Sequence, residues 1–137
     1  MGGALHVGVL TTSYPRWPED PAGGFVAGLN RHLLQAGHRV TVVAAGEDQG
    51  EERPEALRVH RVPSPLFYRG GAPDALVGAA GGLRVPALLL GAGFSLALLQ
   101  RAARALRDAD VLLSHWVLPC GFLAALCARG RRHITIA

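Results

Sequence analysis

The first 45 residues follow a strand–loop–helix–strand order, which limits the fold more than any other feature of this sequence. Branched apolar residues at 5–10 predict a buried strand, and the segment 11–24 predicts a loop because it holds three prolines and two glycines. A helix is predicted over 25–36, with Gly37 ending it, and the run RVTVVA at 39–44 predicts a second strand. This order is a βαβ unit with parallel strands and a right-handed crossover.

The predicted first helix carries its apolar residues on one side. Phe25, Leu29 and Leu33 lie four positions apart, and Val26 and Leu34 flank them. Residues at this spacing share one face of a helix, so we expect this stripe to pack against the sheet.

The rest of the sequence extends the pattern to five strands. Strands are predicted at 58–62, 110–114 and 133–137, and helices at 86–106 and 119–129. The acidic connector 46–56 has no clear helical pattern, which leaves the direction of the third strand open, and 63–82 is predicted to be irregular. We therefore predict one α/β domain over 1–137, a Rossmann-like three-layer sandwich whose mostly parallel five-stranded sheet has the order 3-2-1-4-5.

The charge distribution favours anionic partners. The chain has no lysine; its 14 basic residues are all arginine, against 10 acidic residues, for a net charge of +4. Five acids and one arginine lie between positions 47 and 55, so that loop carries −4 and the remaining chain +8. Phosphates, nucleotides and lipid head groups are suitable partners. A P-loop is excluded because it needs lysine, and no GxGxxG or nucleic-acid-binding motif is present, so we expect no nucleic-acid partner.

The cysteines and histidines predict no metal site. Cys120 and Cys127 are seven residues apart in an apolar stretch, which is typical of buried, reduced thiols. The six histidines share no metal-ligand spacing, so no metal and no cofactor is expected. The N-terminus has no signal-peptide pattern, which favours a cytoplasmic protein.

Two short segments are candidates for ligand binding at one edge of the sheet. Gly23 and Gly24 precede the first helix, whose N-terminal amides could bind a phosphate, although two glycines could equally serve only to turn the chain. Arg16, in the same loop, could pair with an anion or with the loop's own acids. His115 and Trp116 follow the fourth strand; they could contact a sugar through a ring nitrogen and an indole face, or His115 could be structural.

An apolar run of 14 residues at 86–99 is too short to span a bilayer, which takes about 20 residues. A buried helix is the first interpretation. The alternative is a helix lying on a membrane surface, with Arg101, Arg104 and Arg107 toward anionic lipid.

With these residues placed, two segments resemble family 4 glycosyltransferases. The stretch TTSYPRWPEDPAGGFVAGLNRHLLQAGHRVTVVAAG (11–46) is similar to the family's opening, in which a Ser-Tyr-Pro loop leads into Gly-Gly, a helix and a Gly-His-x-Val-x-Val-Val strand. DVLLSHWVLPCGFLAAL (110–126) is similar to the family's Asp-Val-x-His-x-His-Trp-x-x-Pro segment, with Leu113 in place of the first histidine.

The resemblance implies the GT-B architecture, in which two Rossmann-like domains enclose the active site. It implies a retaining glycosyltransferase that moves a sugar from a nucleotide-sugar to an acceptor without a metal. Gly23 and Gly24 would face the donor, with Arg16 as a further donor-binding candidate, and His115 and Trp116 would lie near the acceptor. This chain would be the N-terminal, acceptor-side domain, truncated before the C-terminal nucleotide-sugar domain and inactive alone.

Three alternatives accompany this interpretation. A non-catalytic module could use the same edge of the sheet to bind a phosphate or a sugar. A fragment of a nucleotide-sugar epimerase would share the two-domain plan. A peripheral membrane protein without chemistry would use the arginines at 101, 104 and 107.

Overall fold

The structure is a computed structural model that describes residues 2–47, 53–64 and 85–137. These residues form five strands and three α-helices, and a kinked turn, Val117–Gly121, precedes the last helix. The strands are β1 (His6–Thr11), β2 (Arg39–Ala45), β3 (Leu57–Val62), β4 (Val111–His115) and β5 (Arg132–Ile136). The α-helices are α1 (Gly24–Gln35), α2 (Val85–Ala105) and α3 (Phe122–Ala128).

The five strands form one sheet in the order β3-β2-β1-β4-β5, and every pair is parallel. β1 lies at the centre, where Val9 is opposite Val42 on one side and Leu113 on the other. The predicted α/β class, the Rossmann-like layers and the strand order are confirmed. The third strand, whose direction the sequence left open, is parallel.

Helices cover both faces of this sheet. α1 packs on one face through Val26, and α2 and α3 pack on the other. Because both faces are covered, β1 and β2 read as almost continuous apolar runs rather than as alternating sequences. The thiols of Cys120 and Cys127 are free and buried under α3, as predicted, and burial raises the pKa of Cys120 to about 12.

The buried stripe of α1 differs from the predicted one. Phe25 is 56% exposed, whereas Val26 and Asn30 are buried. Leu33 and Leu34 complete the inner face, one turn further along. The prediction was wrong for Phe25 because its ring, in the first turn of the helix, meets the last residue of β4 and the residue after it instead of the core.

α2 is buried only on its inner face. Phe94, Leu98 and Ala102 lie in the core, whereas Leu89 is 69% and Leu96 56% exposed. The expectation of a buried helix is therefore wrong for its outer face. The predicted irregular segment 63–82 lies almost wholly outside the described residues, as does the middle of the acidic connector.

Gly8 allows α2 and β4 to approach the central strand. A Cβ atom built on Gly8 would lie 2.9 Å from Leu112 Cδ2, 3.1 Å from Ala109 Cβ and 3.2 Å from Leu106 Cδ2. These separations are shorter than ordinary van der Waals contacts. The central strand therefore needs a residue without a side chain here.

We predict that Gly8→Val lowers the free energy of unfolding by about 1–3 kcal/mol, because its methyl groups would overpack this close approach. Gly28→Ala is the control, because its added Cβ would have no heavy atom within 4 Å. It should raise the free energy of unfolding by about 0.5–1 kcal/mol, since alanine is favoured over glycine in a helix interior. Urea unfolding followed by circular dichroism measures both. Equal stability of Gly8→Val and the wild type would contradict the packing argument.

Candidate functional site

The candidate site lies at the edge of the sheet where the parallel strands end. The loop that follows β1 and the turn that follows β4 meet there, since these two strands are neighbours. In open α/β sheets this edge is where ligands bind. The predicted site residues lie in the loop, at the first residue of α1, at the last residue of β4 and in the turn after it.

The N-terminus of α1 has no side-chain cap. Gly23 occupies the N-cap position with φ 71°, and in the described part of the chain no side chain caps the first turn through a hydrogen bond. A Cβ on Gly23 would overlap the carbonyl oxygen of Ser13 and lie 2.8 Å from Tyr14 Cα, so glycine is required by both conformation and space. The Gly24 amide donates to Pro21 O at 3.3 Å, and the amides of Phe25 and Val26 have no acceptor within the helix. This turn therefore offers donors and a partial positive charge to an anion.

Arg16 and Asp20 hold the loop that leads into α1. Asp20 accepts hydrogen bonds from Arg16 Nε at 2.7 Å and from the backbone amides of Arg16 and Ala22, each at 3.0 Å. The hydrogen bond from the Arg16 side chain holds the pKa of Asp20 below its ordinary value. The Arg16 guanidinium also lies over the Trp17 ring, 4.5 Å from its centroid. Arg16, predicted as a donor-binding candidate, is thus placed where it supports the loop.

Arg61 fixes the same loop from the end of β3. Its Nη1 donates to the carbonyl oxygens of Tyr14 at 3.0 Å and of Ala45 at 3.3 Å, and its Nη2 donates to Pro15 O. Its guanidinium also lies 5.4 Å from the centroid of the Tyr14 ring. Sequence reasoning missed this residue because an arginine in an outer strand looks like a solvated one. No local signal links it to a loop 46 residues earlier.

His115 is buried, and its ring makes no hydrogen bond within the described part of the chain. The side chain is 1% exposed, and neither ring nitrogen has a partner among residues 2–47, 53–64 and 85–137. Burial lowers the pKa of His115 below its ordinary value of 6.5, so the neutral imidazole is favoured. A buried imidazole with two unsatisfied nitrogens is costly to keep, and such groups are common at functional sites.

Phe25 connects the two halves of the site. Its ring is 5.4 Å from that of His115 and 6.2 Å from that of Trp116, both in edge-to-face geometry. Trp116 is 45% exposed and has φ 73°, an uncommon conformation for a residue with a side chain. Its amide donates to Ile136 O at 2.8 Å, which ties it to β5. The structure therefore brings Gly23 and Gly24 together with His115 and Trp116 through an aromatic residue that sequence reasoning had assigned to the core.

These features define a Rossmann-like α/β domain with a helix N-terminus and an aromatic cluster at the edge where the parallel strands end. The chain matches no family model and no curated protein. Among solved structures, CalG4, the calicheamicin glycosyltransferase, has a TM-score of 0.65 at 19% identity over 96% of this chain. This chain spans 32% of the length of CalG4. A DNA/pantothenate metabolism flavoprotein from Streptococcus pneumoniae has a TM-score of 0.45 at 13% identity over 82% of this chain and 41% of its own. The fold is thus similar to that of a glycosyltransferase.

We predict that Gly23→Ala lowers the free energy of unfolding by about 1–3 kcal/mol, because alanine is strained at φ 71° and its Cβ overlaps Ser13. Gly24→Ala is the adjacent control. Its Cβ would meet nothing within 4 Å, and we expect a change of less than about 0.5 kcal/mol. Denaturant unfolding of both variants tests this, and equal losses would contradict the assigned conformation.

We predict that His115 makes the fold less stable in acid. Its pKa is lowered in the folded protein, so the unfolded chain binds the proton more readily, and stability falls as pH drops below about 6.5. His115→Leu should therefore show a smaller loss of unfolding free energy between about pH 7.5 and about pH 5 than the wild type. Phe25→Leu, which keeps the imidazole, should retain the wild-type loss. The prediction fails if His115→Leu and the wild type lose stability equally.

Proposed function

We propose that this chain is the acceptor-side domain of a family 4, retaining glycosyltransferase of the GT-B type. The observation that carries the proposal is the uncapped first turn of α1 beside the Phe25–His115–Trp116 cluster. The sequence resemblance and the similarity of the fold to that of CalG4 support it. We further propose that the protein acts in the cytoplasm.

The donor would be a nucleotide-sugar whose diphosphate approaches the N-terminus of α1. The amides of Phe25 and Val26 would then donate to oxygens on which negative charge develops as the glycosidic bond breaks, while Gly24, whose amide donates to Pro21 O, would face the same anion without a side chain. Gly23, which has no side chain, lets the anion come close to the backbone. Backbone donors of this kind need no metal, so the proposed transfer is metal-independent.

The acceptor would lie against the exposed face of Trp116. Indole rings pack against the apolar faces of sugars, and Phe25 holds the indole edge-on at 6.2 Å. An acceptor hydroxyl would reach a ring nitrogen of the neutral His115 only after the exposed Phe25 ring turns aside, and it would then satisfy one of the two buried nitrogens.

The proposed reaction requires a second domain. CalG4 is about three times as long as this chain, and the nucleotide would be held mostly by a C-terminal Rossmann-like domain that faces this edge of the sheet. This domain alone would bind its ligands weakly and would not catalyse transfer.

A non-catalytic phosphate- or sugar-binding module and an epimerase fragment remain the alternatives. The binding module would use the same amides and rings without a reaction. The epimerase would need an acidic base from another domain. Incubation of the complete polypeptide with a nucleotide-sugar and an acceptor distinguishes the three. A glycosyltransferase would transfer the sugar to the acceptor, an epimerase would isomerise the nucleotide-sugar, and a binding module would leave it unchanged.

The test is a titration of this chain with UDP-glucose, GDP-mannose and inorganic pyrophosphate, followed by two-dimensional amide NMR. We expect shifts at the amides of Gly24, Phe25 and Val26 and at the Trp116 indole, with dissociation constants of about 1 mM. Phe25→Ala should weaken nucleotide-sugar binding about tenfold, because it removes the ring contacts of the cluster.

Leu126→Ala is the matched control. Leu126 is 54% exposed, close to the 56% of Phe25, but lies on α3. It should leave binding unchanged. Shifts centred instead on the cavity of about 350 Å³ at the opposite edge, lined by His6, Arg39 and Arg58, would contradict the proposed site.

A further inference from the structure

Helix α2 has apolar residues on its outer face as well as on its inner face. Val85, Leu89 and Leu96 lie four and seven positions apart, which places them on one side of the helix. They are 64%, 69% and 56% exposed. Leu88 and Leu90 widen this outer stripe. An exposed leucine on its own is ordinary, but a continuous stripe over three turns marks an interaction surface.

The helix is long and apolar enough to cross a membrane, but its packing shows that it lies flat on the sheet. It has 21 residues and a mean hydropathy of 1.4 over its most apolar 18-residue window. Phe94, Leu98 and Ala102 on the inner face belong to the core over β2 and β3. A spanning orientation would remove these side chains from the core. Only the outer face is therefore available to another surface.

Basic residues follow the apolar stripe along the same helix. Arg101 and Arg104 are exposed in the last two turns of α2. Arg107, which lies just beyond the helix, is also exposed, and its Nε is 3.4 Å from Asp108 Oδ1. No acidic residue occurs between positions 85 and 107. The exposed leucines thus lie in the first half of the helix and the exposed arginines in the second, where Arg104 lies about 80° and Arg101 about 140° around the helix axis from Leu96 and only the long side chains bring the charges to the side of the stripe. Exposed apolar residues with arginines beside them are the combination by which a helix lies in the interface of an anionic bilayer.

The apolar half lies at the same edge of the sheet as the candidate site. α2 runs antiparallel to the strands. Leu106, which directly follows the helix, lies against Gly8 of β1. The early turns of the helix line a cavity together with Pro63 and Ser64, which directly follow β3. A surface that contacts Leu89 would therefore lie on the side of the molecule where β1 and β4 end.

We propose that α2 is a peripheral membrane-binding helix, whose outer leucines enter an anionic bilayer and whose arginines contact its lipid head groups. The charge pattern is the reason to choose a membrane over a second copy of this chain. If two copies of the helix packed in parallel, arginines would face arginines. If they packed antiparallel, the leucines of each copy would face the arginines of the other. Neither arrangement buries leucine against leucine without placing cationic groups in the contact. The proposal does not depend on the glycosyltransferase function, because it uses none of the residues of that site.

The test is flotation of the purified chain with vesicles of phosphatidylcholine alone or mixed with phosphatidylglycerol. We expect binding only to the mixed vesicles, and at least about a tenfold loss of binding for the double variant Leu89→Gln/Leu96→Gln. Arg101→Gln/Arg104→Gln should lose binding to a similar extent and should show a weaker response to salt. Far-UV circular dichroism establishes that each variant is folded.

Two controls match these variants. Ile134→Thr removes an exposed apolar residue of similar exposure, 53%, from β5, and Arg39→Gln/Arg58→Gln removes the same charge from exposed positions in β2 and β3. Both should bind like the wild type. Failure of the wild type to float, or an equal loss in the controls, would overturn the proposal. So would a dimer in lipid-free sedimentation that Leu89→Gln/Leu96→Gln dissociates while flotation is absent.

Discussion

The central position of β1 in an all-parallel sheet determines most of what this molecule can do. β1 pairs with β2 and β4, and both of its faces are covered, so its residues must be small or apolar. Parallel pairing makes every strand end at the same edge. The loop after β1 and the turn after β4 are therefore neighbours, although about 100 residues separate them. The candidate site is a direct consequence of this topology.

The site itself is built from arrangements that cost stability, and its surroundings compensate for them. Trp116 has a positive φ, and His115 is buried with no hydrogen-bond partner among the residues that the structure describes. Against these costs, Arg61 donates to the carbonyl oxygens of the loop after β1, and Asp20 accepts four hydrogen bonds within it. Local strain that a surrounding network holds in place is typical of binding and catalytic sites.

α2 links the core of the domain to the proposed membrane surface. Its inner face completes the core over the sheet, while its outer leucines and arginines face outward at and beyond the edge of the candidate site. A domain that binds a lipid surface through this helix would keep its ligand-binding edge beside that surface. Such a position would suit an acceptor that is itself held at a membrane.

The sequence alone determined the elements and their order. Branched apolar runs, glycine and proline punctuation and helical periodicity are local signals, so all five strands, the parallel βαβ unit and the candidate residues Gly23, Gly24, His115 and Trp116 could be read from them. Only the tertiary structure decided which residues meet. The role of Arg61, the exposure of Phe25 and the outer stripe of α2 depend on contacts between distant segments. Such contacts leave no periodic trace in the sequence, because the same residue types serve equally well in a core, a clamp or a solvated face.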